Sequence, residues 1–206
     1  MHARAGCRSD RDDPRGHMGA MGSIRIVGGD LRGRKLEVPA RGVRPTSDRT
    51  REAVFNVLGP RVVERARVLD LYAGTGALGI EALSRGAAEA SFVEGSGPVA
   101  RALRENLVRL GLSERASVHE ADLSRIELPP GAVGPFDLVF LDPPYAGDAG
   151  SRWLERLARL AWPEGGGLVV YERRKGAPAP EPSTFELATE RTYSNTTVAF
   201  YRALGA

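Results

Sequence analysis

The chain has 206 residues, 42% hydrophobic and 27% charged, the make-up of an ordinary folded domain rather than a disordered or fibrous chain. One cysteine and three histidines exclude a disulfide framework and a cysteine- or histidine-rich centre, so no metal is expected, and a reducing cytoplasm is the expected location. No apolar run approaches the roughly 18 residues of a membrane span, and a net charge of +3 is compatible with an anionic partner without requiring one.

Residues 1–23 mix Arg4, Arg8, Arg11 and Arg15 with Asp10, Asp12, Asp13 and several glycines, have no signal-peptide core, and read as a disordered extension. Two short β-branched segments, 24–27 and 35–38, flank the turn residues Gly28, Gly29, Asp30 and Gly33, which predicts a small hairpin. Pro45-Thr46-Ser47-Asp48 offers a hydroxyl cap and an acid in the first turn of a helix. That helix places Val54, Phe55 and Leu58 on one face and stops at Gly59-Pro60. Residues 24–60 are therefore expected to form a basic hairpin and helix, and 61–206 a single larger domain.

From Arg67 onward, short apolar runs (68–71, 90–93, 116–119, 136–141 and 167–171) alternate with amphipathic stretches at 77–84 and 98–110. Strand, helix and strand in succession imply an α/β domain with a parallel sheet covered on both faces. After Pro178, Pro180 and Pro182 the pattern becomes two strands, 185–192 and 196–201, around Ser194-Asn195; a closing hairpin there puts an antiparallel strand into the sheet.

Asp70-Leu71-Tyr72-Ala73-Gly74-Thr75-Gly76-Ala77-Leu78-Gly79 is a strand end, a glycine-rich turn and a helix start, where the backbone can approach a ligand closely. Gly74, Gly76 and Gly79 satisfy a dinucleotide fingerprint. Asp70, however, stands where a pyrophosphate would want neutral or positive surroundings, and no later segment resembles a nicotinamide site. An acid there suits an aminoacyl sulfonium ligand, S-adenosylmethionine, better. Glu94 ends the next strand, placed for ribose hydroxyls, and Asp122, beside Leu123, is placed for an adenine amine. Each acid alone could be a helix cap or a solvated group. Three of them at the ends of consecutive strands mark the edge where open α/β sheets bind ligands.

The strand at 136–141 ends in Asp142-Pro143-Pro144-Tyr145. Each proline bars helical geometry from the residue before it, so Asp142 and Pro143 are held extended. A carboxylate and a carbonyl accepting from both protons of a base amine would favour a pyramidal nitrogen, and Tyr145 offers a stacking face. A stiff loop with no chemistry is the plain alternative.

These motifs resemble the class I methyltransferases, and within them the RsmD-type 16S ribosomal RNA guanine-N2 methyltransferases. The likeness also covers Arg25-Ile26-Val27-Gly28-Gly29 with Arg32-Gly33-Arg34-Lys35-Leu36, and Arg44-Pro45-Thr46 with Arg49, Arg51-Glu52 and Phe55-Asn56. It implies a Rossmann-like α/β fold: a seven-stranded, mostly parallel sheet with an antiparallel last strand, preceded by a small hairpin and helix. It implies S-adenosylmethionine as donor, S-adenosylhomocysteine as product, and a guanine of 16S ribosomal RNA, free or in the 30S subunit, as acceptor. By that likeness Asp70, Gly74, Gly76, Glu94 and Asp122 serve the cofactor, with Tyr72, Ala73, Thr75 and Leu123 beside them, and Asp142, Pro143, Pro144 and Tyr145 serve the amine.

Residues 24–51 hold eight basic side chains against three acids, an excess larger than the whole chain's. Arg32, Arg34, Lys35, Arg44 and Arg49 are the expected RNA contacts, with forked donors and flanking glycines suited to phosphates. Arg51 is a candidate for pairing within its helix, and Arg173, Arg174 and Lys175 for extending the surface. A DNA adenine-N6 enzyme would need a larger recognition region. A protein glutamine-N5 enzyme would tend to carry Asn at Asp142, and a silent RNA-binding assembly factor would not need the pocket acids. A monomer is expected.

Overall fold

The computed structural model describes residues 22–39, 47–125, 127–144, 148–160, 162–163 and 166–204. The expected extension falls outside these except for Gly22 and Ser23, which already belong to the first strand; Arg44 and Tyr145 also lie outside the described residues.

Strands β1 (Gly22–Arg25) and β2 (Lys35–Val38) pair antiparallel as the predicted hairpin, with the first strand two residues earlier than its apolar run suggests. Helix α1 (Asp48–Leu58) begins at Ser47, whose Oγ accepts from the Thr50 amide at 3.1 Å, and buries Val54, Phe55 and Leu58. The Phe55 ring meets that of Phe140 at 5.8 Å, seating this helix on the sheet. Gly59 ends the helix, and a single turn, α2 (Pro60–Val63), follows.

The main sheet comprises β3 (Arg67–Leu71), β4 (Glu89–Glu94), β5 (Ala116–Glu120), β6 (Leu138–Leu141), β7 (Leu168–Arg174), β8 (Phe185–Tyr193) and β9 (Thr196–Ala203), in the order β5-β4-β3-β6-β7-β9-β8. Strands β3 to β7 pair parallel, and β9 is antiparallel to both of its neighbours, as the proline-rich break and closing hairpin imply. Helices α3 (Ala77–Ser84) and α4 (Gly97–Leu110) cross between β3, β4 and β5; α5 (Ala149–Leu157), which the chain reading did not separate, lies between β6 and β7. Alternate residues divide the core between the two faces of the sheet: Val68, Phe92, Leu138 and Phe140 pack with Phe55, Ile80 and Leu103, whereas Leu69, Leu71, Val139 and Leu141 pack with Trp153, Leu154 and Leu157.

The strand order reverses direction between β3 and β6, whose carboxyl ends lie side by side with Asp70 opposite Phe140 and Leu71 opposite Leu141. That switch point is where a crevice opens in such sheets. The opposite edge is fixed by Arg65 N to Gly86 O at 2.8 Å and Ala88 N to Ala66 O at 2.9 Å, which bring the end of α3 beside the start of β3.

Candidate active site

At the switch point the turn after β3 is shaped by three left-handed residues, Tyr72 (φ 58°), Gly74 (φ 54°) and Gly76 (φ 74°). Gly76 starts α3, and a Cβ on it would lie 2.3 Å from Leu103 Cδ1, so only glycine fits there. Gly79 is the third glycine of the fingerprint, and its role is packing: a Cβ there would meet Phe92 Cε1 at 2.3 Å. Its amide donates to Asp70 Oδ2 at 2.9 Å, so the carboxyl of β3 is tied to the first turn of the helix. Asp70 is 3% exposed, and burial pushes its carboxyl up to about 8 against the opposing effect of the Gly79 amide; the charge of Glu94 adds to the rise.

Glu94 stitches two turns together. Its Oε2 accepts from Gly74 N at 2.9 Å and its Oε1 from Ser96 N at 2.8 Å, and Ala73 N reaches Val93 O at 3.0 Å. Thr75 is buried behind this turn. Leu123 is buried too, and its carbonyl accepts from Trp153 Nε1 at 3.1 Å and from the Tyr72 hydroxyl at 3.4 Å. Burial raises the Tyr72 phenol, while its hydrogen bond with Trp153 opposes the rise. Asp122 is exposed on the neighbouring turn, where it accepts from Ser124 N at 3.0 Å and faces Arg125 at 3.8 Å; hydrogen bonding to Ser124 holds its carboxyl below the usual range. The expected cofactor residues Asp70, Tyr72, Ala73, Gly74, Thr75, Gly76, Glu94, Asp122 and Leu123 thus line one stretch of the carboxyl edge of β3, β4 and β5. Trp153 and Gly79 join them. Trp153 was legible only as an apolar position of an unassigned helix.

Strand β6 delivers Asp142 to the same edge, half-buried, followed by buried Pro143 and exposed Pro144. Tyr171, opposite Leu141 on β7, senses the Asp142 charge, and burial raises its phenol. A Cβ on Gly150 in the first turn of α5 would lie 2.2 Å from the Tyr171 hydroxyl oxygen, so Tyr171 wedges the segment that follows Asp142 against the sheet. Sequence reasoning missed this residue because it reads as one more apolar position of β7.

The basic hairpin docks elsewhere. The Ser84 hydroxyl donates to Gly28 O at 2.6 Å and accepts from Leu31 N at 3.0 Å, and the Ser84 carbonyl accepts from Asp30 N at 2.8 Å. Glu81, with no exposed surface, accepts from Val27 N at 2.9 Å through Oε2 and from Arg85 Nε at 2.8 Å through Oε1; the Arg85 guanidinium in turn sits 4.8 Å from the Phe55 ring. Asn106 on α4 pairs with both backbone groups of Glu37 at 2.9 and 3.0 Å. These anchors lie at the carboxyl ends of α3 and α4, on the side of the sheet away from the glycine turn. The hairpin loop therefore stands about 12 Å, one eight-residue helix, from the crevice.

On this arm Arg32, Lys35 and Arg49 are exposed and have no ion-pair partner among the described residues. Arg34 is exposed but already donates to the Arg109 carbonyl at 3.0 Å. Arg51 is buried at 1% exposure and pairs with Asp48 at 2.9 Å, as its helix spacing suggests, so it braces α1 rather than presenting charge. Arg173 also leaves the proposed surface: it is buried and pairs with Glu190 at 2.5 Å. No group of three or more metal-binding side chains occurs among the described residues, and no helix there is long and apolar enough to cross a membrane.

The chain is 38% identical over 176 residues to ribosomal RNA small subunit methyltransferase D of Haemophilus influenzae, covering 84% of this chain and 90% of that protein. It is 37% identical over 189 residues to the protein of the same name from Escherichia coli, covering 90% and 92%. The solved structure of yhhF from Escherichia coli, described as a candidate methyltransferase, superposes with a TM-score of 0.77 at 36% identity, covering 90% of this chain and all of that one. An RNA methyltransferase from Salinibacter ruber, solved with S-adenosyl-L-homocysteine, shares the fold at a TM-score of 0.60 and 17% identity, covering 78% and 94%. The family model described as conserved hypothetical protein 95 matches residues 24–202, and on this match and these identities the chain belongs to that family, the RsmD family.

Proposed function

We propose that this chain transfers a methyl group from S-adenosylmethionine to the exocyclic N2 amine of a guanine in 16S ribosomal RNA. The observation that carries the reading is the meeting, at one switch point, of the Gly74–Gly76 turn and its acids Asp70 and Glu94 with Asp142-Pro143 on the adjoining strand. The name borne by the relatives, ribosomal RNA small subunit methyltransferase D, supports the acceptor class.

The residues present fit the donor. Asp70 is a buried carboxyl whose burial cost a cationic ammonium would relieve, and Gly76 keeps the turn free of the side chain that would fill it. Glu94 and Asp122 would hold the ribose and the adenine, with Tyr72 and Leu123 forming the wall between them. When bound, the donor supplies an electrophilic methyl group on a sulfonium sulfur.

The chain's contribution is alignment. Asp142 accepts a hydrogen bond from the amine and the Pro143 carbonyl accepts the other, which turns the nitrogen lone pair toward the methyl group. Asp142 or solvent takes the proton released afterwards. Tyr145 stacks on the base, and Tyr171 steadies the segment between them. Arg32, Lys35 and Arg49 hold phosphates at a distance from the target base, with Arg34 and Arg44 extending that surface. The chain works as a cytoplasmic monomer. Incubating donor and protein with unmodified small-subunit RNA and with particles, followed by mass spectrometry of nucleosides, should yield N2-methylguanosine. N6-methyladenosine, or no modified nucleoside with either substrate, would overturn the reading.

A further inference from the structure

On the amino edge of the sheet, below the crevice, a polar cleft of about 400 Å³ opens between α2, the starts of β6 and β7, and β9. Three arginines line it: Arg61 in α2, Arg65 just after α2 and Arg202 on β9. All three are exposed, and none forms an ion pair among the described residues. Two carboxylates share the lining. The Asp137 Oδ2 is occupied by the Arg67 amide at 2.8 Å, and Arg67 itself pairs outward with Glu89 at 2.6 Å. Glu64 is the other, and Glu186, across the strand ladder from Arg202, makes no ion pair with it. The wall at Gly166 and Gly167 carries no side chain, and a Cβ on either would collide, with Ala203 O at 2.6 Å or Trp162 Cε3 at 2.4 Å.

Arg65 adds a second oddity. Its φ of 62° is a left-handed conformation that non-glycine residues seldom adopt, kept here by its amide bond to Gly86 O at 2.8 Å. The lining thus holds three guanidiniums against two carboxylates, a surplus of one positive charge that one phosphodiester would neutralise. Guanidiniums have the forked donors that match phosphate oxygens.

We infer that this cleft binds a phosphodiester of the RNA substrate, on a segment separate from the one that presents the target base. Asp137 and Asp142 bracket the single strand β6, so cleft and crevice are about 17 Å apart, five residues of extended chain. One RNA segment enters the crevice while a second is gripped on the opposite edge, which favours a folded, compact RNA over a short isolated stem. The inference rests on the proposed RNA methylation but has its own readout.

The variants are R61Q/R65N/R202Q, in which Asn tolerates the left-handed turn, and R61Q/R202Q, which leaves that turn untouched. A control, R101Q/R159Q/R191Q, removes the same charge elsewhere. Affinity for unmodified small-subunit RNA is measured between 50 and 200 mM salt, together with melting temperature, donor affinity and the single-turnover rate at saturating RNA. Each lost phosphate contact should flatten the dependence of log affinity on log salt by roughly 0.7 to 0.9. The triple variant should therefore lose about two units of slope beyond the control and the double somewhat less, with rate and donor affinity unchanged. Slopes equal to the control's in both variants overturn the inference. Inorganic phosphate, as a separate probe, should raise the melting temperature of the parent chain and not of the triple variant. If phosphate behaves so while the RNA slope stays at the control's value, the cleft holds free anions and the RNA assignment fails. Failure of the parent chain to methylate RNA would instead strike the proposed function, whatever the slopes show.

Discussion

The Gly74 amide donates to Glu94 Oε2 at 2.9 Å, so the acid expected to hold the donor's ribose also fixes the shape of the glycine turn from the neighbouring strand. With Oε1 on Ser96 N at 2.8 Å, Glu94 serves two backbone donors at once. Its loss should reach further than a missing ligand contact.

Glu94→Ala should weaken donor binding about ten- to hundredfold, since hydrogen bonds to charged groups contribute roughly 1.5 to 3 kcal/mol, and should also lower the melting temperature of the ligand-free chain. Glu94→Gln, which keeps one acceptor oxygen, should recover most of the stability and less of the affinity. Calorimetry that finds both variants binding the donor like the parent removes Glu94 from the pocket.

Asp70 predicts a pH dependence with a definite sign. Its carboxyl rises from 3.8 to about 8 in the folded chain because burial disfavours the charge. The folded state therefore holds a proton that the unfolded state has released between those values, so this group's contribution to stability is full below about pH 4 and is lost as pH rises toward 8. A cationic donor favours the ionised form, so its binding should release a proton near pH 7 and tighten as pH rises. Asp70→Asn should flatten the stability profile over this window and abolish the proton release. Titrations in buffers of different ionisation enthalpy measure that release, and a value of zero for the parent chain contradicts the proposed pairing.

The acids of the crevice and the glycine turn were legible because they are local: a strand end, a turn and a helix start within ten residues. So were Ser47 as a cap and Arg51 as a helix-bound pair. What escaped were consequences of distance in the chain. Glu81 reads as a polar position of α3, yet it is wholly buried because Val27, 54 residues away, brings it an amide. Ser84 looks like a helix end and is the seat of the hairpin. Arg173 looks like a surface charge, and the β8–β9 pairing folds Glu190 onto it. Helix α5 was missed although Trp153, Leu154 and Leu157 have helical spacing, because proline-rich and glycine-rich segments on either side mask so short an amphipathic run.

Ser84 separates docking of the hairpin from its charge. Ser84→Ala strips partners from the Gly28 carbonyl and the Leu31 amide, a cost of about 1 to 3 kcal/mol, which for a chain of this size lowers the melting temperature by roughly 2 to 4 °C per kcal/mol. RNA affinity should fall while donor affinity holds. Arg32→Ala with Lys35→Ala should do the reverse to stability: an unchanged melting temperature, with an RNA salt slope flatter by roughly 0.7 to 0.9 per residue. If the double variant keeps the parent slope, the loop is a solubilising surface and the phosphate contacts lie elsewhere.

Asp142 is the sharpest test of the chemistry. Strand β6 and the following prolines hold it in place before any substrate arrives, so its replacement should leave the fold and the donor site alone. If it accepts from the amine chiefly as the nitrogen pyramidalises, its contribution belongs to the transition state and appears in rate rather than in binding. Asp142→Ala should slow single-turnover methylation of subunit particles by about a hundred- to a thousandfold, the usual cost of one preorganised electrostatic partner, with donor affinity unchanged within a few-fold. Asp142→Asn, which keeps a carbonyl acceptor without the charge, should fall between the two. Tyr145→Phe should retain most of the rate and Tyr145→Ala should not, because the ring rather than the hydroxyl supports the base. An Asp142→Ala chain that methylates at close to the parent rate would leave the fold and donor pocket standing, but would show that the amine is oriented by something other than this carboxylate.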